Sequence, residues 1–354
     1  MRKIIAYLFF PITMLYGITI RIRNKLYNIE ILKSKQHSIT TIGVGNLRVG
    51  GTGKTPHIEH IIGILSQKYR IGVLSRGYGR SSKGFRLVEE NDVSKKTGDE
   101  PLQIKLKYPD IMVAVSENRN IGIEKMREIS PELEIILLDD AFQHRQTNLD
   151  ISFLLTEYRN PFFKDRVMPF GLLREQRKNY KRADYIIITK TPKDISIGER
   201  THFESKLKPK KYQKVFYSNI VYANPRSIFS DNILSSIDSK DIILITGIAN
   251  NSYIKEYLES IGGNIVNELR LKDHYTYNEK DIEKIINLYN NHSDSLIITT
   301  EKDEVKLREF EKLQENQIPI YALPITVSLI YFNLKSETFE EILLEDVRKD
   351  KSFG

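Results

Sequence analysis

Cysteine is absent from the 354 residues, which excludes disulfides, thiolate metal sites and a cysteine nucleophile, and removes any covalent need for an oxidising compartment. Internal repeats and low-complexity tracts are missing too. With 40% hydrophobic and 28% charged residues, the chain is neither disordered, collagen-like nor a polytopic membrane protein. Its length suits two compact units. A basic patch on the body of the chain is also lacking. The net charge is +8, yet residues 1–36 hold Arg2, Lys3, Arg21, Arg23, Lys25, Lys33 and Lys35 against Glu30 alone, so most of the excess sits at the N-terminus. A nucleic-acid binder would carry that charge on its folded domain, and no nucleic-acid partner is expected.

What the basic residues flank is an uncharged apolar segment, Ile4 to Ile20, interrupted by Pro11, Thr13, Gly17 and Thr19. As a straight helix its length comes to roughly 25 Å, short of a hydrocarbon core of about 30 Å. Pro11 should kink it, and Tyr7, Phe9, Phe10 and Tyr16 suit the headgroup boundary. A helix lying in one leaflet fits best. A single span and a buried first helix are the alternatives, while a cleaved signal peptide lacks its small-residue cleavage site.

Beyond it, short apolar runs recur at Ile39–Val44, Ile71–Leu74, Ile111–Val115, Ile135–Leu138, Ile151–Leu155, Tyr185–Ile188, Ile242–Ile245 and Leu296–Ile298. Several are continuous, as strands buried on both faces of a parallel sheet require. Helical stripes lie between them, at Ile58, Ile61, Ile62 and Leu65, and over 254–261, 282–289 and 305–310. This predicts an α/β architecture with helices on both sheet faces. The polar stretches 192–214 and 224–240 are boundary candidates. The expected parts are a membrane-associated helix over 1–36, a domain over 37–225 and a smaller α/β domain over 226–354.

The first chemical signal follows the first strand: Val44-Gly45-Asn46-Leu47-Arg48-Val49-Gly50-Gly51-Thr52-Gly53-Lys54-Thr55-Pro56. In a P-loop, backbone N–H groups wrap the phosphates, the lysine reaches the terminal phosphates and the hydroxyl ligates Mg²⁺. Gly50, Gly51, Thr52, Gly53, Lys54 and Thr55 fill that loop, although the strict pattern has glycine where Arg48 stands. A second signal is the strand Ile135–Leu138 running into Asp139 and Asp140, where a P-loop enzyme finds its second protein contact to magnesium; solvated acids at a turn are the alternative. ATP and Mg²⁺ are thus the expected nucleotide and cofactor, in a P-loop NTPase-like sheet.

Neither Thr189-Lys190-Thr191-Pro192 nor Thr300-Glu301-Lys302-Asp303 completes a guanine reader, and Val49 stands where a dimeric ATPase of the deviant P-loop class has lysine. An ATP-dependent transferase is therefore favoured over a membrane-associated ATPase acting as a switch or transporter component.

The set VGNLRVGGTGKTP (44–56), LSRGYG (74–79), GDEP (98–101), LLDDAFQHR (137–145), PFGLLRE (169–175), RADYIIITK (182–190), KDH (272–274) and TTEKDEVKL (299–307) resembles the tetraacyldisaccharide 4'-kinase family. The resemblance implies transfer of the ATP γ-phosphate to the 4'-hydroxyl of an acylated glucosamine disaccharide 1-phosphate, giving lipid IVA at the cytoplasmic face of the bacterial inner membrane. It implies a peripheral or monotopic enzyme with two α/β/α domains and a site in the cleft between them. No obligate protein partner is expected.

On the same resemblance, Asp99 matches the catalytic base and His274 the partner that orients it, and closure of the second domain would bring His274 to Asp99. Asp139, Asp140 and Glu175 go to the metal or its water shell, with Thr55 as hydroxyl ligand. Gln143, His144, Arg76, Arg119 and Arg174 go to the substrate. Read from the residues alone, Asp99 is a helix cap and His274 a surface or capping histidine. Lys302 and Asp303 sit at a strand-to-helix junction, as a cap or a nucleotide contact.

Overall fold

The computed structural model describes residues 10–332 and 337–351, so the opening of the apolar segment, residues 1–9, lies outside the described residues. The strands are β1 (Thr40–Asn46), β2 (Ile71–Ser75), β3 (Arg86–Leu87), β4 (Met112–Val115), β5 (Ile135–Asp139), β6 (Ile151–Glu157) and β7 (Tyr185–Thr189). They continue with β8 (Lys214–Tyr222), β9 (Arg226–Ser227), β10 (Asp241–Thr246), β11 (Asn264–Arg270), β12 (Leu296–Thr300), β13 (Ile320–Leu323) and β14 (Ile325–Ile330). Every apolar run named above forms a strand, to within a residue or two at its ends.

Two compact units divide the chain: Met1–Arg76, Ser116–Ile220 and Val327–Gly354 form one, and Gly77–Val115 with Val221–Thr326 form the other. The division at Ile220 falls near the expected break at 225, but the units are not contiguous as expected. The segment 77–115, which carries Asp99, belongs to the second unit. The C-terminal helix Phe339–Lys351 returns to the first, where the buried Phe339 ring packs on Phe153, Tyr185 and Phe216. The polar stretch 192–214 is no linker: it contains the helix Ile197–Leu207, opened by a capping box between Ser196 and Glu199.

In the first unit six parallel strands run in the order β2-β5-β1-β6-β7-β8. β1, β5, β6 and β7 are buried along their whole length, which explains their continuous apolar sequences. β1 has β5 on one side and β6 on the other, so the loops diverge at its C-terminal end, where such sheets hold their ligands. The loop after β1 is the glycine-rich segment.

The second unit has a sheet in the order β11-β10-β12-β13-β9, parallel except for β9, and an antiparallel β3–β4 pair. Within it the helix Asp99–Lys107 packs on the helix Glu301–Leu307, tied by Lys107 Nζ to Glu301 Oε1 at 3.1 Å and by Lys302 Nζ to Glu100 Oε1 at 3.3 Å.

The N-terminal helix runs from Phe10 to Asn28. One side is docked: Asn24 and Tyr27 are buried, Tyr16 Oη donates to the Arg174 carbonyl at 3.1 Å, and an Arg23 Nη2 donates to the Gln143 carbonyl at 3.1 Å. The other exposes Met14, Leu15, Ile18 and Ile22 at helical spacing, with Arg21 and Lys25 beside them. Among the described residues no helix is long and apolar enough to cross a membrane.

Candidate active site

The glycine-rich loop turns on two residues in the left-handed region, Gly50 (φ 120°) and Gly53 (φ 84°), conformations that a side chain would strain. Gly53 caps the helix Lys54–Leu65, and Pro56 falls in its first turn, where a missing N–H costs nothing. The loop is held from below. Asn46 Nδ2 donates to Thr52 Oγ1 at 2.7 Å, and the buried His57 lies within 2.7 Å of the Gly53 carbonyl through Nδ1 and 2.9 Å of Ser218 Oγ through Nε2. Since a carbonyl only accepts, His57 carries its proton on Nδ1 and accepts from Ser218; burial above all pushes its pKa down to about 4, so it stays neutral. Lys190 Nζ donates to the Gly51 carbonyl at 2.7 Å and pairs with Glu157 at 2.6 Å. Arg48 turns to Asp165 at 2.8 Å.

Opposite the loop, Asp140 follows β5 in the left-handed region (φ 48°). Its Oδ1 faces Lys54 Nζ at 3.6 Å and its Oδ2 accepts from Arg174 Nη1 at 2.6 Å. Burial works to raise the Asp140 pKa, but the Lys54 and Arg174 cations outweigh it and hold the carboxyl below its ordinary value. Asp139 is buried, its Oδ2 accepting from Ser75 Oγ at 3.0 Å.

Among the described residues no cluster of three or more acidic or histidine side chains forms a metal cage. Magnesium fits such a place, since it is ordinarily held by one or two carboxylates together with substrate phosphates. The donor set at hand is Thr55, Asp139 and Asp140, and Asp140 Oδ1 is buried without a hydrogen-bond partner.

Three of the expected site residues are placed differently. Glu175 was expected at the metal, but its buried carboxylate accepts from Arg182 Nη2 at 3.0 Å, Asn24 Nδ2 at 3.2 Å and Asn179 Nδ2 at 2.5 Å. These donors leave it a scaffold joining the N-terminal helix to the 169–182 loop. Arg119 was expected at a substrate phosphate; instead it is buried and donates to the Ser116 and Asp139 carbonyls at 2.6 and 2.9 Å, steadying the strand end that carries the acids. Gln143 was expected at the substrate; its half-buried side chain bridges the Asn46 carbonyl (2.7 Å) and Arg174 (3.3 Å). His144 sits near Asp140, Arg119 and Arg76; burial first, and the arginines after it, push its pKa down to about 4. Arg76 is exposed and remains able to meet an anion.

The second unit holds the acid–base pair. Gly98, at φ 94° and ψ 151°, opens the helix at Asp99, and a Cβ there would lie 3.2 Å from Gly77 Cα. Asp99 is the first residue of the helix and not its cap. Its carboxylate reaches His274 Nδ1 at 3.2 Å. Both residues belong to one unit, so no closure between units is needed to pair them, contrary to the expectation. His274 is itself in the left-handed region (φ 56°), a cost of order 1 kcal/mol. Burial acts to raise the Asp99 pKa, but the His274 hydrogen bond, Lys302 and Lys306 bring it down to about 2. On His274 burial acts downward, and the bond to Asp99 prevails and raises it.

Lys302, read in the sequence as a cap or a nucleotide contact, borders this pair, as do Lys306 and Tyr78, which were not among the expected site residues. Lys302 Nζ is 3.3 Å from His274 Nε2, Lys306 Nζ is 3.9 Å from Asp99 Oδ2, and the exposed Tyr78 ring lies 5.0 Å from the imidazole. His57, Asn46 and Lys190 were missed as supports of the loop; the glycine at 53 with a histidine four positions on, one helical turn away, was the readable sign for His57.

Known proteins resemble this chain over nearly its whole length. The model of the family described as LpxK, tetraacyldisaccharide-1-P 4'-kinase, matches residues 5–348. The chain is 42% identical over 350 residues to a tetraacyldisaccharide 4'-kinase of Flavobacterium psychrophilum, covering 98% of each chain. It is 36% identical over 356 residues to one of Bacteroides thetaiotaomicron, covering 96% of this chain and 93% of that one. Among solved structures, a crystal structure of the "apo" form of LpxK from Aquifex aeolicus in complex with ATP superposes with a TM-score of 0.75 at 27% identity, covering 98% of this chain and 99% of that one.

Proposed function

The chain belongs to the tetraacyldisaccharide-1-P 4'-kinase family, and from that premise we propose how its residues divide the work of an ATP-dependent lipid kinase. It phosphorylates tetraacyldisaccharide 1-phosphate with ATP to form lipid IVA. The observation that carries the division of labour is the Asp99–His274 contact at 3.2 Å, an acid–base pair that a nucleotide switch has no use for.

The amides of Gly50 to Thr55 and the Lys54 ammonium hold the triphosphate, and Arg174 adds a second cation through Asp140. Thr55, Asp139 and Asp140 would hold magnesium, which would supply positive charge to offset that of the phosphates. A sugar hydroxyl is a poor nucleophile at neutral pH, so a proton acceptor is required. Asp99 accepts the 4'-hydroxyl proton, and His274 donates to the same carboxylate and fixes its direction. Arg76 and His144 serve the anionic headgroup. Arg119, Gln143 and Glu175 act on the site by holding its loops. The test is incubation with γ-labelled ATP and the tetraacyl disaccharide 1-phosphate in mixed micelles. Label should enter the lipid, and ATP consumption should depend on it; equal ATP hydrolysis without the lipid would favour a switch.

The exposed stripe of Met14, Leu15, Ile18 and Ile22 supports contact with a membrane surface, at the cytoplasmic face of the inner membrane, as a peripheral or monotopic protein. Four acyl chains keep the substrate in the bilayer, since each buried methylene is worth about 0.8 kcal/mol. Burying an Ile or Leu side chain contributes about 1.5–3 kcal/mol. Changing Leu15, Ile18 and Ile22 together to Asp is therefore expected to lower binding to anionic vesicles by at least about 100-fold in a sedimentation assay, with ATP affinity intact. Unchanged sedimentation would remove the helix from that role.

A further inference from the structure

The catalytic pair has a third member that neither the expected site nor the division of labour above includes. Thr300 and Asp303 fix the start of the helix Glu301–Leu307: Asp303, fully buried, accepts at Oδ2 from the Gly247 N–H and the Thr300 hydroxyl, both at 2.8 Å, and its Oδ1 meets Tyr277 Oη at 3.3 Å and Lys306 Nζ at 2.9 Å. Asp303 is thus the structural half of the Lys302-Asp303 dipeptide. Anchoring it leaves Lys302, one residue earlier, aimed at His274.

An ammonium has three N–H groups and no acceptor. Lys302 Nζ has three partners at hydrogen-bond range: Asp273 Oδ1 at 3.1 Å, Glu100 Oε1 at 3.3 Å and His274 Nε2 at 3.3 Å. The two carboxylates, with Asp99 Oδ2 3.8 Å away, keep it charged against the effect of burial. A nitrogen that faces an ammonium must offer a lone pair, so His274 Nε2 carries no proton. The single proton of the neutral ring then sits on Nδ1, where Asp99 lies at 3.2 Å. The result is a relay of donors, Lys302 to His274 to Asp99. The remaining neighbours are Asp273 Oδ2, 3.9 Å from His274 Nε2 and beyond hydrogen-bond range while its Oδ1 binds the ammonium, Lys306 on the Asp99 side, and the Tyr78 ring beside the imidazole.

We propose that Lys302 is a positioning residue for the phosphoryl transfer: its ammonium locks His274 into the neutral tautomer that donates from Nδ1 to Asp99. The proposal rests on Asp99 being the base. A protonated imidazole would place Nε2–H against the ammonium, so Lys302 opposes protonation of His274 and, through it, of the pair, which titrates as a unit.

The test uses the full chain with Lys302→Met, which removes charge and donors, Lys302→Gln, which keeps a donor without the charge, and Lys302→Arg, which keeps the charge. Nitrogen-15 spectra of labelled histidine, with His274 assigned from its absence in His274→Gln, report tautomer and titration directly. In Lys302→Met the titration of His274 and the acid limb of the kcat/KM pH profile should both move up by about one unit, and an Nε2-protonated signature should appear beside the Nδ1-protonated one. Lys302→Arg should restore most of the original limb, and Lys302→Gln should fall between. ATP affinity and the melting temperature serve as controls of folding. If Lys302→Met and Lys302→Gln both leave the His274 titration and the acid limb in place, Lys302 merely braces the helix and the proposal fails, whatever the loss of rate. Full activity of Asp99→Asn would sink the base assignment instead, and the histidine spectra would still report on Lys302.

Discussion

Asp99→Asn is expected to lower kcat by about 10²- to 10⁴-fold, the usual contribution of a positioned general base, while the affinity for ATP stays unchanged. On the transition-state scale that is about 3–5.5 kcal/mol. Asparagine is nearly isosteric and can still accept from His274 Nδ1 through its amide oxygen, so the geometry at 3.2 Å is preserved and only proton-accepting ability is lost. The folded unit should tolerate the change unevenly, because Lys302 and Lys306 lie 3.8 and 3.9 Å from the carboxylate that disappears. Both lysines retain other carboxylates, Glu100 and Asp273 for one and Asp303 for the other, which limits the damage. The glycine-rich loop proposed to hold ATP lies in the other unit, so calorimetry with a non-hydrolysable nucleotide separates folding from chemistry. A single-turnover rate within threefold of the original would end the base assignment. A low pKa is no objection to the role: a carboxylate at about 2 is fully ionised at neutral pH, and a loose phosphoryl-transfer transition state demands alignment more than basicity.

The parts of this arrangement that could be read in the sequence are those whose cause is local. Buried parallel strands announce themselves as uninterrupted apolar runs because both faces are covered, and β1, β5, β6 and β7 do so. A loop that needs φ above zero at Gly50 and Gly53 has to be written in glycine. The strands that escaped notice have other causes. β11 is only partly buried and mixes polar with apolar residues in no regular period, while β9 has two residues and pairs on the edge that β13 offers it. Non-local matters were the hardest. That segment 77–115 lodges in the second unit, and so meets His274 without closure, depends on packing of the helices Asp99–Lys107 and Glu301–Leu307. Glu175 and Arg119 were expected as ligands on the family resemblance, not on any local pattern. The partners that hold them, Asn24 for Glu175 and the Asp139 carbonyl for Arg119, come from positions that no spacing rule relates to them.

Lys54→Ala is expected to reduce kcat/KM for ATP by about 10²- to 10³-fold or more, the scale on which a preorganised cation at a developing charge acts. The ammonium lies 3.6 Å from Asp140 Oδ1, with Arg174 on the other oxygen of the same carboxylate at 2.6 Å. One acid between two cations leaves a surplus of positive charge, which a triphosphate can complete without first breaking a neutral pair. Lys54→Arg should rescue poorly, because the planar guanidinium is larger than the compact ammonium and Gly53 begins the helix immediately before it. The double variant with Asp140→Asn distinguishes direct from indirect action. If Lys54 works mainly by setting Asp140, the two losses will not add, and the double variant will be no worse than the poorer single one. If Lys54 touches phosphate, Asp140→Asn will add a further loss. A decline of less than threefold in Lys54→Ala would mean that the Gly50–Thr55 turn is a structural bend, and the nucleotide would have to be sought elsewhere in the first unit.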